Sequence, residues 1–188
     1  MNGGIDDLIA DATRRMDKSV ESTQVEFNTV RTGRASAALL DRIAVDYYGQ
    51  QTPLKQLATI NVPEPRMLTV QPFDPSSIKE IERAIQESEL GLTPSNDGKV
   101  IRLPIPQLTE ERRKELVKVV RQIAEDGKVA IRNVRRDADK HLKELKTKGD
   151  VGEDDERRAE ERVQKLTDEH TSKIDDLLKR KETEITEV

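Results

Sequence analysis

Arg132, Arg135 and Arg136 lie within about a turn and a half of one another on a helix, a spacing at which guanidinium forks reach adjacent phosphates of one nucleic-acid backbone. On a wheel of about 100° per residue, Lys114, Lys118, Arg121, Lys128, Arg132, Arg135, Arg136, Lys143 and Lys146 fall inside an arc of about 100°. Only Glu125 and Asp139 interrupt the arc. Such a ridge suits phosphate binding. It equally suits a solvated helix face whose Arg and Lys exchange weak pairs with glutamates on neighbouring turns. Arg31 and Arg34, around Gly33, form a second basic site or else compensate a helix C-terminus capped by glycine.

Other chemistry finds little material. The chain contains no cysteine, which removes disulfides, thiolate metal ligands and a thiol nucleophile. His141 and His170, its two histidines, sit beside or within apolar stripes and have no companion at metal-ligand spacing. The carboxylates are spread over polar helical faces rather than set as an acid–base pair. Gly91, Asn96 and Gly98 occupy a turn-rich loop that matches neither a Walker sequence nor a dinucleotide fingerprint. No catalytic residue, metal site or cofactor is therefore expected. A net charge of -4 excludes a general nucleic-acid coat protein, so only locally concentrated positive charge can bind RNA.

Three apolar stripes supply the elements that must present these residues. Ile5, Leu8, Ala12, Met16, Val20, Thr23, Phe27 and Val30 step by three or four, predicting a helix from residue 5 to about 30. Leu116, Val120, Ile123, Gly127, Ile131, Val134, Ala138, Leu142 and Leu145 predict a second, beginning after Thr109 as N-cap and ending near Gly149. Ala159, Val163, Leu166, His170, Ile174, Leu177 and Ile185 predict a third, opened by the acidic run Glu153 to Glu156. Helices apolar on one face only bury one another as a three-helix bundle.

Residues 32 to about 105 change character. All eight prolines fall in or beside this segment, and alternating runs at Arg42 to Tyr47, Leu57 to Val62, Met67 to Gln71 and Lys99 to Leu103 read as short strands. Asp74 and Pro75 open a helix carrying Ile78, Ile81, Ala84 and Ile85 that stops near Gly91. The expected architecture is a two-domain α+β protein: residues 1–31 and 106–188 form a long three-helix bundle, and 32–105 form a small, β-rich mixed α/β insert. Hinges are expected near 31–33 and 104–106, where Pro104 and Pro106 restrict the backbone around Ile105. No apolar run approaches the ~20 residues of a membrane span, and the opening Asn2, Gly3, Gly4 and Ile5 lead quickly into charge. A cytoplasmic protein that avoids membranes is expected, monomeric because its outer faces are polar.

Several segments resemble one family. Val30-Arg31-Thr32-Gly33-Arg34-Ala35, Asp46-Tyr47-Tyr48-Gly49, Leu108-Thr109-Glu110-Glu111-Arg112-Arg113, Arg132-Asn133-Val134-Arg135-Arg136-Asp137-Ala138 and Gln164-Lys165-Leu166-Thr167-Asp168 are similar to signatures of ribosome recycling factors. The similarity covers essentially the whole chain, in order. It implies an L-shaped, tRNA-like outline and binding to the post-termination ribosome, with the bundle on large-subunit ribosomal RNA. It also implies that elongation factor G with GTP drives subunit separation. Carried over by motif, Arg132 is the principal RNA contact, Arg31, Lys128, Arg135 and Arg136 support it, and Thr32, Gly33 and Pro104-Ile105-Pro106 form the hinge. The chain departs from the family at Glu89 and Thr93, where Asp and Asn are usual. Read from residues alone, a coiled-coil scaffold, or an enzyme working from the insert's loops, are the competing classes.

Overall fold

A computed structural model describes residues 3–187; residues 1, 2 and 188, at the ends of the expected bundle domain, lie outside the described residues. Along the chain run α1 (Gly3–Asn28), β1 (Ala44–Tyr47), β2 (Gln50–Pro53), α2 (Leu54–Leu57), β3 (Ala58–Glu64), β4 (Met67–Pro72), α3 (Ile78–Glu87), β5 (Ser95–Asn96), β6 (Ile101–Pro104), α4 (Glu110–Thr147) and α5 (Glu153–Thr186). The chain divides into two compact units.

The first unit joins the chain up to Phe27 with Lys118–Glu182. Here α1 buries Ile5, Ala12, Met16 and Thr23, α4 buries Val120, Ala124, Ile131, Val134, Ala138 and Leu142, and α5 buries Ala159, Val163, His170 and Ile174. Apart from Ala124, which is buried beside a half-buried Ile123, these residues belong to the predicted stripes, and they meet as a three-helix bundle. Each fully buried Val, Leu or Ile contributes about 1.5–3 kcal/mol relative to exposure. The helices converge at Gly127, where an added Cβ would lie 2.2 Å from Thr23 Oγ1 of α1 and 2.9 Å from Ile174 Cδ1 of α5. Polar ties flank the core. Arg15 Nη2 donates to Asp137 Oδ2 at 2.9 Å, joining α1 to α4, and His170 Nε2 lies 2.6 Å from Asp17 Oδ1, joining α5 to α1. His170 Nδ1 faces the Leu166 carbonyl at 2.7 Å, so this 3 % exposed histidine is a packed residue with both nitrogens engaged.

The second unit, Asn28–Val117 with the chain from Thr183 onward, holds the sheets. β3, β4, β6 and β5 form an antiparallel sheet in the order β3-β4-β6-β5. Leu68 and Val70 of β4 alternate inward with Ile101 and Leu103 of β6, and Ile81 and Ile85 of α3 pack in the same core. Pro63 sits on the edge strand β3, where a missing N–H is tolerated, beside the register shift between Asn61 and Glu64. β1 and β2 make a separate hairpin. Its turn residues Tyr48 (φ 49°) and Gly49 (φ 83°) are both left-handed, as a tight turn matched to strand twist requires.

Several local expectations are corrected. β1 begins at Ala44 rather than Arg42, because Asp41 N and Ile43 N donate to the Ala38 and Leu40 carbonyls and keep the chain in turns up to that point. β6 begins at Ile101 rather than Lys99, because Asp97 Oδ1 accepts from the N–H groups of Lys99 (3.0 Å) and Val100 (2.9 Å) and bends the chain there. α3 ends at Glu87, short of Gly91, because the Ser88 hydroxyl and N–H both turn onto the Ile85 carbonyl. β2, α2 and β5 were not predicted. The α3 start follows the reading: Pro75 opens a 3-10 turn and the Asp74 carboxylate accepts from Ser76 N at 3.0 Å.

Candidate nucleic-acid interface

α4 carries the basic residues, and its two ends are defined by local chemistry. Thr109 Oγ1 accepts from Arg112 N at 3.1 Å, and Glu110 and Glu111 place negative charge at the N-terminal dipole. At the other end Gly149 (φ 79°) donates to the Lys146 carbonyl and Asp150 to the Leu145 carbonyl, both at 3.0 Å, the paired closure of a Schellman motif. Between these ends the buried stripe fixes the rotation of the helix about its axis. Residues opposite the stripe must then face water.

Lys128, Arg132, Arg135 and Arg136 share one face of α4 that flanks the buried stripe, the first three half-buried and Arg136 exposed, with Lys143 exposed beyond them. Their partners differ. Arg132 Nη1 donates to Glu125 Oε1 at 3.1 Å, and its side chain is 40 % exposed. Lys128 Nζ donates to Asp175 Oδ1 of α5 at 2.9 Å and lies 3.9 Å from Glu125 Oε2. Arg121 pairs with Glu182 at 2.7 Å and Lys146 with Glu156 at 3.3 Å, again on α5. Arg135, Arg136 and Lys143 form no ion pair among the described residues. Burial raises the Asp139 carboxyl above the usual carboxylate range, against the pull of Arg135 and Lys143.

Arg31 belongs to the other compact unit, where its guanidinium donates to the Pro106 carbonyl, leaving Nε buried without a partner. Burial, and then the charge of Arg112, press its pKa below the ordinary arginine value. The other residues singled out in the sequence are gathered nearby in the same unit. Thr32 is buried and accepts through Oγ1 from Arg34 N at 3.2 Å, and no heavy atom lies within 4 Å of a Cβ added at Gly33. Pro104 ends β6 opposite Met67, and Ile105, 2 % exposed, donates to the Arg66 carbonyl at 2.8 Å.

What sequence reasoning missed are the carboxylates that contact the ridge from α5: Glu156, Asp175 and Glu182. Periodicity marks these as polar-face positions, but nothing local to the sequence says which cation each one meets. Among the described residues no group of three His, Asp or Glu side chains is placed to hold a metal ion, and no helix is long and apolar enough to cross a membrane.

Three long helices with a small antiparallel-sheet unit define a class of α+β protein for which solved structures exist. A solution structure of the ribosome recycling factor covers 100 % of both chains at 44 % identity with a TM-score of 0.78. The T. thermophilus ribosome recycling factor, from models that include E. coli elongation factor G bound to the E. coli post-termination complex, matches 97 % of this chain and 99 % of its own at 48 % identity and a TM-score of 0.68. A family model described as ribosome recycling factor matches residues 23–186. The ribosome-recycling factor of Rubrobacter xylanophilus is 55 % identical over 180 residues, 96 % of this chain and 97 % of its own length. That of Synechocystis sp. is 58 % identical over 180 residues, 96 % of this chain and 99 % of its own. The chain belongs to the ribosome recycling factor family.

Proposed function

We propose that this chain binds the ribosome after translation has terminated and, with elongation factor G and GTP, promotes subunit dissociation so that ribosomes are released from mRNA and reused. Family membership over almost the whole chain carries the reading, with relatives 55 % and 58 % identical. The T. thermophilus relative, treated together with elongation factor G on the post-termination complex, supports the choice of partner. On this reading the chain is a monomeric cytoplasmic factor that holds no cofactor and is not an enzyme, and GTP hydrolysis belongs to the elongation factor.

The bundle, 1–31 with 106–188, docks through α4 on large-subunit ribosomal RNA. Arg132 is the principal contact, and Lys128, Arg135, Arg136 and Arg31 support it. Phosphate contacts position a protein without reading sequence, which suits one fixed site on a large folded RNA. The insert, 32–105, turns on a hinge at Thr32, Gly33, Pro104, Ile105 and Pro106 when the elongation factor pushes it, and the docked bundle transmits the push to the subunit interface.

Light scattering from post-termination ribosomes mixed with this protein, elongation factor G and GTP tests the proposal. Scattering is expected to fall with wild type and to fall far less with Arg132→Ala. No fall with either protein, in the presence of an active translocase, would return the chain to a scaffold role.

A further inference from the structure

We propose that Glu125 and Asp175 are specificity-determining residues of the RNA-docking face, holding Arg132 and Lys128 so that arbitrary RNA gains little from them. The inference rests on the docking reading above and assigns that face a second layer of residues. Glu125 bridges two cations of its own helix, with Oε1 3.1 Å from Arg132 and Oε2 3.9 Å from Lys128. Asp175 reaches across from α5 to Lys128 at 2.9 Å, leaving that lysine side chain only 20 % exposed. Further along, Glu182 holds Arg121 and Glu156 holds Lys146. Among the described residues, the ridge cations left without an ion pair are Lys118, Arg135, Arg136 and Lys143, with Arg132 shared. The ridge thus offers fewer free cations than the sequence suggests.

Two kinds of RNA meet this arrangement differently. Arbitrary, flexible RNA binds by releasing counterions, so its affinity follows the number of cations free to neutralise phosphates, and each carboxylate beside a cation subtracts from it. A folded RNA with fixed phosphates rewards orientation instead. Arg132 has five N–H donors and spends one on Glu125, so the rest of its fork stays available while the carboxylate limits its rotamers. Lys128, a point charge with three donors, is fixed in place by the same two carboxylates. Glu125 and Asp175 therefore penalise the wrong partner and spare the right one, which is how discrimination is built when attraction alone is unselective.

The test compares wild type with Glu125→Gln, Asp175→Asn and the double variant. Both positions are more than half exposed, and helical content and melting temperature serve as folding controls. Binding to a fluorescein-labelled single-stranded RNA of arbitrary sequence is read by anisotropy, and binding to large ribosomal subunits by co-sedimentation. Affinity for the arbitrary RNA is expected to rise about threefold per neutralised carboxylate at ~0.1 M salt, the Coulomb effect of one charge near 4 Å in water after screening. Subunit affinity is expected to change by less than about twofold, as for an exposed pair. Equal gains on both RNAs, or no gain on either, would overturn the specificity role. Arg132→Ala separates the two levels: if it leaves subunit binding intact, the docking reading fails and the proposal with it, whereas lost binding alongside equal carboxylate gains removes the proposal alone.

Discussion

Gly127 shows how much one side chain can be worth in a bundle. Alanine is a better helix former than glycine by about 1 kcal/mol, so Gly127→Ala ought to stabilise an isolated α4. In the protein its Cβ would fall 2.2 Å from Thr23 Oγ1 and 2.9 Å from Ile174 Cδ1, so both buried side chains must shift and Thr23 Oγ1 must leave its hydrogen bond to the Ser19 carbonyl. Urea titration of the variant should show a net loss of up to about 2 kcal/mol, the overpacking cost of about 1–3 kcal/mol less the propensity gain, and a gain would mean the helices separate freely. Asp97 acts on a different variable. The backbone N–H groups of Val100 and Lys99, with Arg102, lower its pKa from 3.8 to about 2. A carboxylate depressed on folding contributes stability above its unfolded pKa and loses it as pH falls through its folded value. The contribution is complete above pH 3.8 and disappears toward about 2, so Asp97→Asn should melt below wild type at neutral pH, with the gap closing as pH falls through that window.

The elements differ in how they begin and end. α4 starts because Thr109 supplies the oxygen that Arg112 N needs, and removing it should cost about 1 kcal/mol. Thr109→Ala is expected to lower the midpoint of chemical denaturation, and Thr109→Ser should restore most of the loss. A midpoint equal to wild type for the alanine variant would show that packing alone sets this terminus. β1 and β2 depend on a turn with two left-handed residues, one of them Tyr48. Asp46 Oδ1 supports the turn by accepting from Gly49 N at 3.0 Å, so the motif Asp46-Tyr47-Tyr48-Gly49 has a local structural use whatever else it does.

For the whole molecule, the proposed recycling needs both docking and a moving insert, and the two can be separated. Gly33 has open space at its Cβ position, so Gly33→Ala should fold well, gaining about 0.4–1 kcal/mol if its backbone conformation suits alanine. If Gly33 serves as a hinge, the variant should bind large subunits with wild-type affinity while splitting ribosomes more slowly in stopped-flow scattering. Splitting at the wild-type rate would place the pivot elsewhere. The docking step should also be salt-dependent, weakening steadily as ionic strength rises because bound phosphates displace counterions.

The sequence by itself determined the three long helices, their inward faces and the run of cations along α4, because a stripe repeating every three or four residues is a local property that only one helix rotation can bury. It also marked the insert and the strands β1, β3, β4 and β6, whose alternation is local too. It could not reveal β2, exposed or half-buried throughout, nor β5, two residues long, since neither carries a buried face to read. Nor could it reveal which cations stay free. Asp175 and Glu182 lie 47 and 61 positions from the cations they meet, so the pairing exists only once α4 and α5 are side by side. Tertiary structure decided the effective charge of the ridge, because Coulomb attraction depends on distance in space and not on separation along the chain.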